Sequence, residues 1–63
     1  MTQKEMLYIE DAIGHETNII AICNETINML DDKKLKTFIE SELKKHKSTR
    51  EKLINKLKEC SND

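Results

Sequence analysis

Proline and tryptophan are absent from this chain, and glycine, phenylalanine and tyrosine occur once each among its 63 residues. Strand-rich folds need turn residues between strands and β-branched or aromatic side chains along them, so this composition argues against a β fold. Glycine and proline also interrupt helices, and their scarcity indicates long helices. The sequence therefore predicts an all-α protein with a single domain over residues 1–63.

The sequence also lacks the short motifs that mark common catalytic and metal centres. It has no glycine-rich phosphate loop, no Ser/His/Asp arrangement, no Cys-x-x-Cys and no zinc-finger spacing. Its longest apolar run, residues 19–23, is far too short to span a bilayer, and its first residues do not have the character of a signal peptide. We therefore expect a cytoplasmic, non-catalytic protein with no membrane partner, in which Cys23 and Cys60 are reduced.

Charge is nearly balanced over the whole chain, with a formal net value of −1, but the two halves differ. Residues 1–32 carry seven carboxylates against one lysine, a net −6, and residues 33–63 carry ten basic against five acidic side chains, a net +5. Opposite charges of similar size favour two segments that lie side by side. The basic half is poor in the aromatic side chains on which bases stack, so we expect no nucleic-acid partner.

Two helices are predicted, helix 1 over about residues 3–30 and helix 2 over about residues 32–60. Thr2 and Glu5 have the spacing of a capping box, and Asp31 and Asp32 suit the N-cap of the second helix. Helix 1 has a heptad pattern and a second apolar stripe that widens its apolar face. The heptad positions are Met6, Ile13, Ile20, Ile27 and Ile9, Glu16, Cys23, Leu30, and the second stripe is Tyr8, Ala12, Ile19, Ile22, Met29.

A short connection near residues 31–32 makes the two helices an antiparallel hairpin. A chain of 63 residues buries little apolar surface alone, and the wide apolar face of helix 1 needs more than one neighbour. We therefore predict that the hairpin forms a homodimer with a four-helix-bundle fold.

Three polar residues interrupt the apolar faces at their centres. Glu42 and His46 lie one turn apart on helix 2, and Glu16 lies level with His46 when the chain turns near residue 31. Carboxylates and imidazoles are costly to bury without a partner. Three interpretations follow: a metal site, a buried polar pairing of Glu16 with His46 or Arg50, and a solvated groove.

A glutamate on one helix followed by a Glu/His pair on the next resembles half of a ferritin-like di-metal bundle. The pattern Asp32, Leu35, Glu42, His46 is similar to the second helix of ferritin-like hairpins, including the coat F-type spore coat proteins. The resemblance implies a ferritin-like bundle in which Glu16, Glu42 and His46 bind iron or manganese, and zinc would suit the same donors. It also implies an association with the spore.

The sequence therefore predicts two main kinds of function. The first is a structural or assembly protein, a dimeric bundle in the sporulation setting that the resemblance implies. The second is an iron- or manganese-binding bundle with a redox or metal-handling role. A third form, an adaptor whose wide apolar face receives a helix of another protein, would remain monomeric until its target is present.

Overall fold

In the computed structural model of the chain, which describes residues 1–61, two long helices pack against each other as a hairpin. Helix α1 spans Gln3–Met29 and helix α2 spans Lys33–Ser61. The prediction of an all-α hairpin is confirmed. Neither helix, over the described residues, has a stretch with the length and apolar character that a bilayer span requires.

Helix α1 begins at a capping box. The backbone N–H of Glu5 donates to Thr2 Oγ1 at 3.1 Å, and the backbone N–H of Thr2 donates to Glu5 Oε1 at 2.8 Å. The hydrogen bonds from the backbone and side chain of Thr2 hold the pKa of Glu5 below its usual value. This cap therefore adds stability above the pKa that Glu5 has in the unfolded chain. The stabilisation is lost as the pH falls through the lowered pKa of the folded state.

The connection between the helices is short because the end of α1 and the start of α2 are each fixed by a capping residue. Leu30 leaves the helical conformation for an extended one at the end of α1. Asp32 then caps α2, since its Oδ1 accepts from the backbone N–H groups of Lys34 at 2.8 Å and Leu35 at 3.1 Å. Two of the otherwise unsatisfied donors of the first turn are thereby satisfied.

Replacing Asp32 with alanine should destabilise the protein by about 1 kcal/mol, because these two N–H groups lose their acceptor. Asp31→Ala is the matched control, since it removes the same charge from the neighbouring position. Surface substitutions away from caps usually change stability by less than about 0.5 kcal/mol. Urea unfolding followed by circular dichroism measures both effects. Equal losses in the two variants would show that charge, and not capping, is responsible.

The hairpin is elongated and has little interior. It measures 47 × 14 × 11 Å with a radius of gyration of 14.6 Å, where a compact chain of this length would have about 11 Å. Cys23 is the one buried residue among those described, and it is 9% exposed. Half-buried side chains line the contact at heptad positions on both helices. They include Met6, Ile9, Ile13, Ile20 and Ile27 on α1 and Ile39, Leu43, Leu53, Ile54 and Leu57 on α2.

Candidate functional site

The central polar feature is a direct contact between Glu16, near the middle of α1, and His46, near the middle of α2. Glu16 Oε2 lies 2.6 Å from His46 Nδ1. The turn places these residues level because each helix rises by the same amount per residue. Of the pairings predicted for Glu16, the structure contains the one with His46.

The Glu16–His46 pair lies inside the helix contact rather than on the surface. The side chain of Glu16 is 17% exposed and that of His46 is 32% exposed. Half-buried Ile13 and Ile20 precede and follow Glu16 by about one helical turn. When the Glu16 carboxylate is ionised it can only accept hydrogen bonds, and Nδ1 is then the donor of this contact. A hydrogen bond to a charged acceptor is stronger than one between neutral groups, and shielding from water strengthens it further.

Glu42, the third residue predicted as a metal ligand, is on the same helix as His46 but has a different neighbour. Its Oε1 lies 4.0 Å from Lys45 Nζ, and its side chain is 36% exposed. Within residues 1–61, no three or more His, Cys, Asp or Glu side chains are grouped so that they could hold a metal ion. The structure thus brings Glu16 and His46 together without Glu42. A metal site formed by all three residues remains a prediction.

Arg50, the alternative partner for Glu16, contacts α1 elsewhere. Its Nε donates to Thr17 Oγ1 at 2.7 Å, and the Thr17 hydroxyl in turn donates to the carbonyl of Ile13 at 2.9 Å. Sequence reasoning did not identify Thr17 as a partner, although Thr17 directly follows Glu16 and lies on the α1 flank that α2 can reach. Together, the Arg50 and His46 contacts join the middle of the two helices at adjacent positions.

A second carboxylate–imidazole pair is local and exposed. Asp11 Oδ2 lies 3.3 Å from His15 Nε2, one turn apart on α1, and the two side chains are 77% and 71% exposed. Exposed pairs of this spacing contribute only a few tenths of a kcal/mol. The Asp11–His15 pair is therefore a natural comparison for the Glu16–His46 pair.

The Glu16–His46 geometry resembles the orienting half of a catalytic triad, in which a carboxylate holds an imidazole that activates a nucleophile. A triad also requires a nucleophile within hydrogen-bond reach of the imidazole. Cys23 lies seven residues beyond Glu16, which is about 10 Å along the helix. Both Cys23 and Cys60 are free thiols. The pair is a direct contact between the two helices.

Comparison with other proteins adds no assignment to this geometry. No family model matches the sequence, and no match was found among curated proteins or among solved structures. The resemblance to ferritin-like hairpins and coat F-type proteins therefore remains a prediction, and function has to be argued from the hairpin itself.

Proposed function

We propose that the protein is a small, non-catalytic structural or assembly protein whose functional unit is a four-helix bundle made of two hairpins. The observation that carries this proposal is the lack of an interior in the single hairpin. One residue is buried among those described, while large apolar side chains such as Ile22, Met29 and Phe38 are at least half exposed. A soluble domain of this size normally needs a disulfide, a metal or a partner chain for stability.

The surface area supports the same proposal. The hairpin has an accessible surface of 5136 Å², whereas a compact monomer of its mass would have about 4,200 Å². The excess of about 900 Å² is close to the roughly 800 Å² that each partner buries in a standard protein–protein interface. One further hairpin packed along this one would remove the excess.

In this proposal the Glu16–His46 pair has a structural role. A polar pair inside a helical interface contributes less than apolar packing, but it penalises every other alignment of the two helices because either group would then be buried alone. The 2.6 Å contact between α1 and α2 fixes one alignment of the hairpin. A defined alignment is what an assembling unit needs to present the same surface in every copy.

Sedimentation equilibrium of the untagged protein tests the proposal. We expect a mass of about twice 7.4 kDa at micromolar concentrations. A folded monomer at millimolar concentration would contradict it. That monomer would instead favour an adaptor that receives a helix of another protein.

Elemental analysis of the same material decides between the structural proposal and the ferritin-like metal-binding alternative. We expect less than about 0.1 iron, manganese or zinc ion per chain after incubation with each divalent salt and desalting, because carboxylate–imidazole sites need several convergent ligands. One or two ions per dimer, lost in the His46→Ala variant while the dimer persists, would establish the alternative. Asp11→Ala with His15→Ala is the control for non-specific binding to an exposed pair.

The likeness to coat F-type proteins supports a finer version of the proposal, in which the bundle is a component of the spore coat. Immunodetection in washed spores and in the mother-cell fraction of a sporulating culture tests that version. Enrichment in the spore fraction would support it. Equal abundance in growing, non-sporulating cells would contradict the spore assignment and leave the bundle proposal unaffected.

A further inference from the structure

The two long sides of the hairpin differ in character. One side carries the Thr17–Arg50 hydrogen bond, and Lys47 and Glu51 line a shallow groove there with Thr17, Ile20 and Arg50. Thr17 lies about 100° round the helix from Glu16, and Lys47 lies about 100° round from His46. Because Thr17 and Lys47 line the same groove, they face the same side of the hairpin. That side is polar and charged.

The opposite side is apolar along α1, and we call this α1 stripe together with Phe38 of α2 the apolar flank. Its α1 positions are Tyr8, Ala12, Ile19, Ile22 and Met29, which follow one another by three, four or seven residues and so share a face. On α2 the same side carries Phe38 near the connection and then charged residues, Glu42, Lys45, Lys52 and Lys56. Ile22 and Phe38 are 60% and 51% exposed. The α1 part of the apolar flank extends from Tyr8 to Met29, about 32 Å of helix at 1.5 Å per residue, and the exposed His15 also lies on it.

We infer that the apolar flank is the surface on which a second copy of this chain docks, and that the groove side stays in solvent. This inference rests on the proposed function and adds to it the location of the interface. Self-association through a two-fold axis requires the same patch on both copies. The apolar flank runs along most of α1, so an equally long hairpin can cover it.

Charge and area favour a second copy as the occupant. The chain has a net charge of only −1, so two copies do not repel each other strongly, while each offers one acidic and one basic half to the other. The excess surface of the hairpin matches one side of a standard interface rather than the smaller footprint of a short peptide.

Lysine substitutions on and off the flank test the inference. Ile22→Lys and Phe38→Lys place a charge within the apolar flank, and we expect each to raise the dissociation constant of the dimer at least about 100-fold. Leu7→Lys is the matched control, because Leu7 is 58% exposed but lies about 180° from Glu16 on α1. Glu51→Lys makes the equivalent change on the groove side. Both controls should remain dimeric by sedimentation at the same concentration.

Because an isolated hairpin could lose its fold, a second measurement uses variants that remain assembled. In a Cys60→Ser background, Ile22→Cys and Leu7→Cys each add one thiol, and maleimide labelling is followed at high and low protein concentration. We expect the Ile22→Cys thiol to react at least about tenfold more slowly in the dimer and to gain the speed of the Leu7→Cys thiol on dilution. The parent Cys60→Ser protein gives the background rate of Cys23.

The possible outcomes distinguish an error in the location of the interface from an error in the oligomeric state. A dimer that dissociates in Glu51→Lys but persists in Ile22→Lys and Phe38→Lys would place the interface on the groove side and overturn the inference alone. A parent protein that is monomeric at every concentration would overturn the proposed function as well. Slow labelling of the Ile22→Cys thiol that does not change on dilution would also overturn the inference, because protection would then come from within one hairpin.

Discussion

Replacing Glu16 or His46 alone with leucine should destabilise the protein by about 2 kcal/mol, whereas replacing both should leave it as stable as the parent or more stable. Each single change leaves one polar group inside the helix contact without the partner that it now meets at 2.6 Å. The double change removes both polar groups and extends the apolar heptad across the middle of the hairpin. The two single effects should therefore not add.

The Asp11–His15 pair supplies a matched double-mutant cycle. It has the same chemical groups on the same chain, but both side chains are more than two-thirds exposed in the single hairpin. Its coupling energy should be about 0.3 kcal/mol, several times smaller than that of Glu16 with His46. Urea unfolding of the parent, the four single variants and the two double variants at one protein concentration gives both couplings. Equal couplings would mean that the central pair is as solvated as the exposed pair.

The alignment of α1 with α2 was predictable because few residues favour a turn at any other place in the chain. Without proline, the chain has no strong helix breaker, and two consecutive aspartates, Asp31 and Asp32, occur where the connection forms. Asp32 makes the expected capping contacts. Once the connection is placed near residue 31, the constant rise of a helix puts Glu16 opposite His46. The contact between these two residues therefore follows from the position of the turn.

The partners of the longer side chains were not predictable in the same way. Glu42 extends towards Lys45 on its own helix, and Arg50 reaches Thr17 rather than Glu16. These side chains have several rotamers that lead to different neighbours at similar cost, so helical spacing alone does not select among them. Helical spacing places Glu42 on the same face as His46 and one turn away from it, but it does not determine whether the Glu42 side chain turns towards α1.

The wide apolar stripe of α1 could be identified from sequence, but its occupant could not. The heptad positions of α1 are half-buried against α2, while Tyr8, Ile22 and Met29 remain mainly exposed. Hydrophobic periodicity shows how much of the surface of a helix is apolar. It does not show whether that surface is buried by the same chain or by another one. The exposed fractions in the folded hairpin distinguish the apolar residues of α1 that α2 buries from those that only a second chain could bury.

Stability should depend strongly on protein concentration if folding requires a second copy. For two chains that fold and associate together, each tenfold dilution lowers the stability of the dimer by about 1.4 kcal/mol. Two chains of 63 residues unfold with an entropy of about 260 cal/mol/K, so the melting temperature should fall by about 5 °C per tenfold dilution. Circular dichroism melts from about 1 to 1,000 μM therefore span a range of about 15 °C.

A tandem protein provides the control, with two copies joined by about 25 Gly/Ser residues. At about 3.3 Å per residue such a linker reaches about 80 Å, which exceeds the 47 Å length of the hairpin, so either relative orientation of the copies can form. Its melting temperature should be independent of concentration, because association is intramolecular. A separate-chain protein that also melts at one temperature throughout would mean that the hairpin folds alone. The exposed apolar side chains of α1 would then have to be tolerated in water, and the interface would serve a partner other than a second copy.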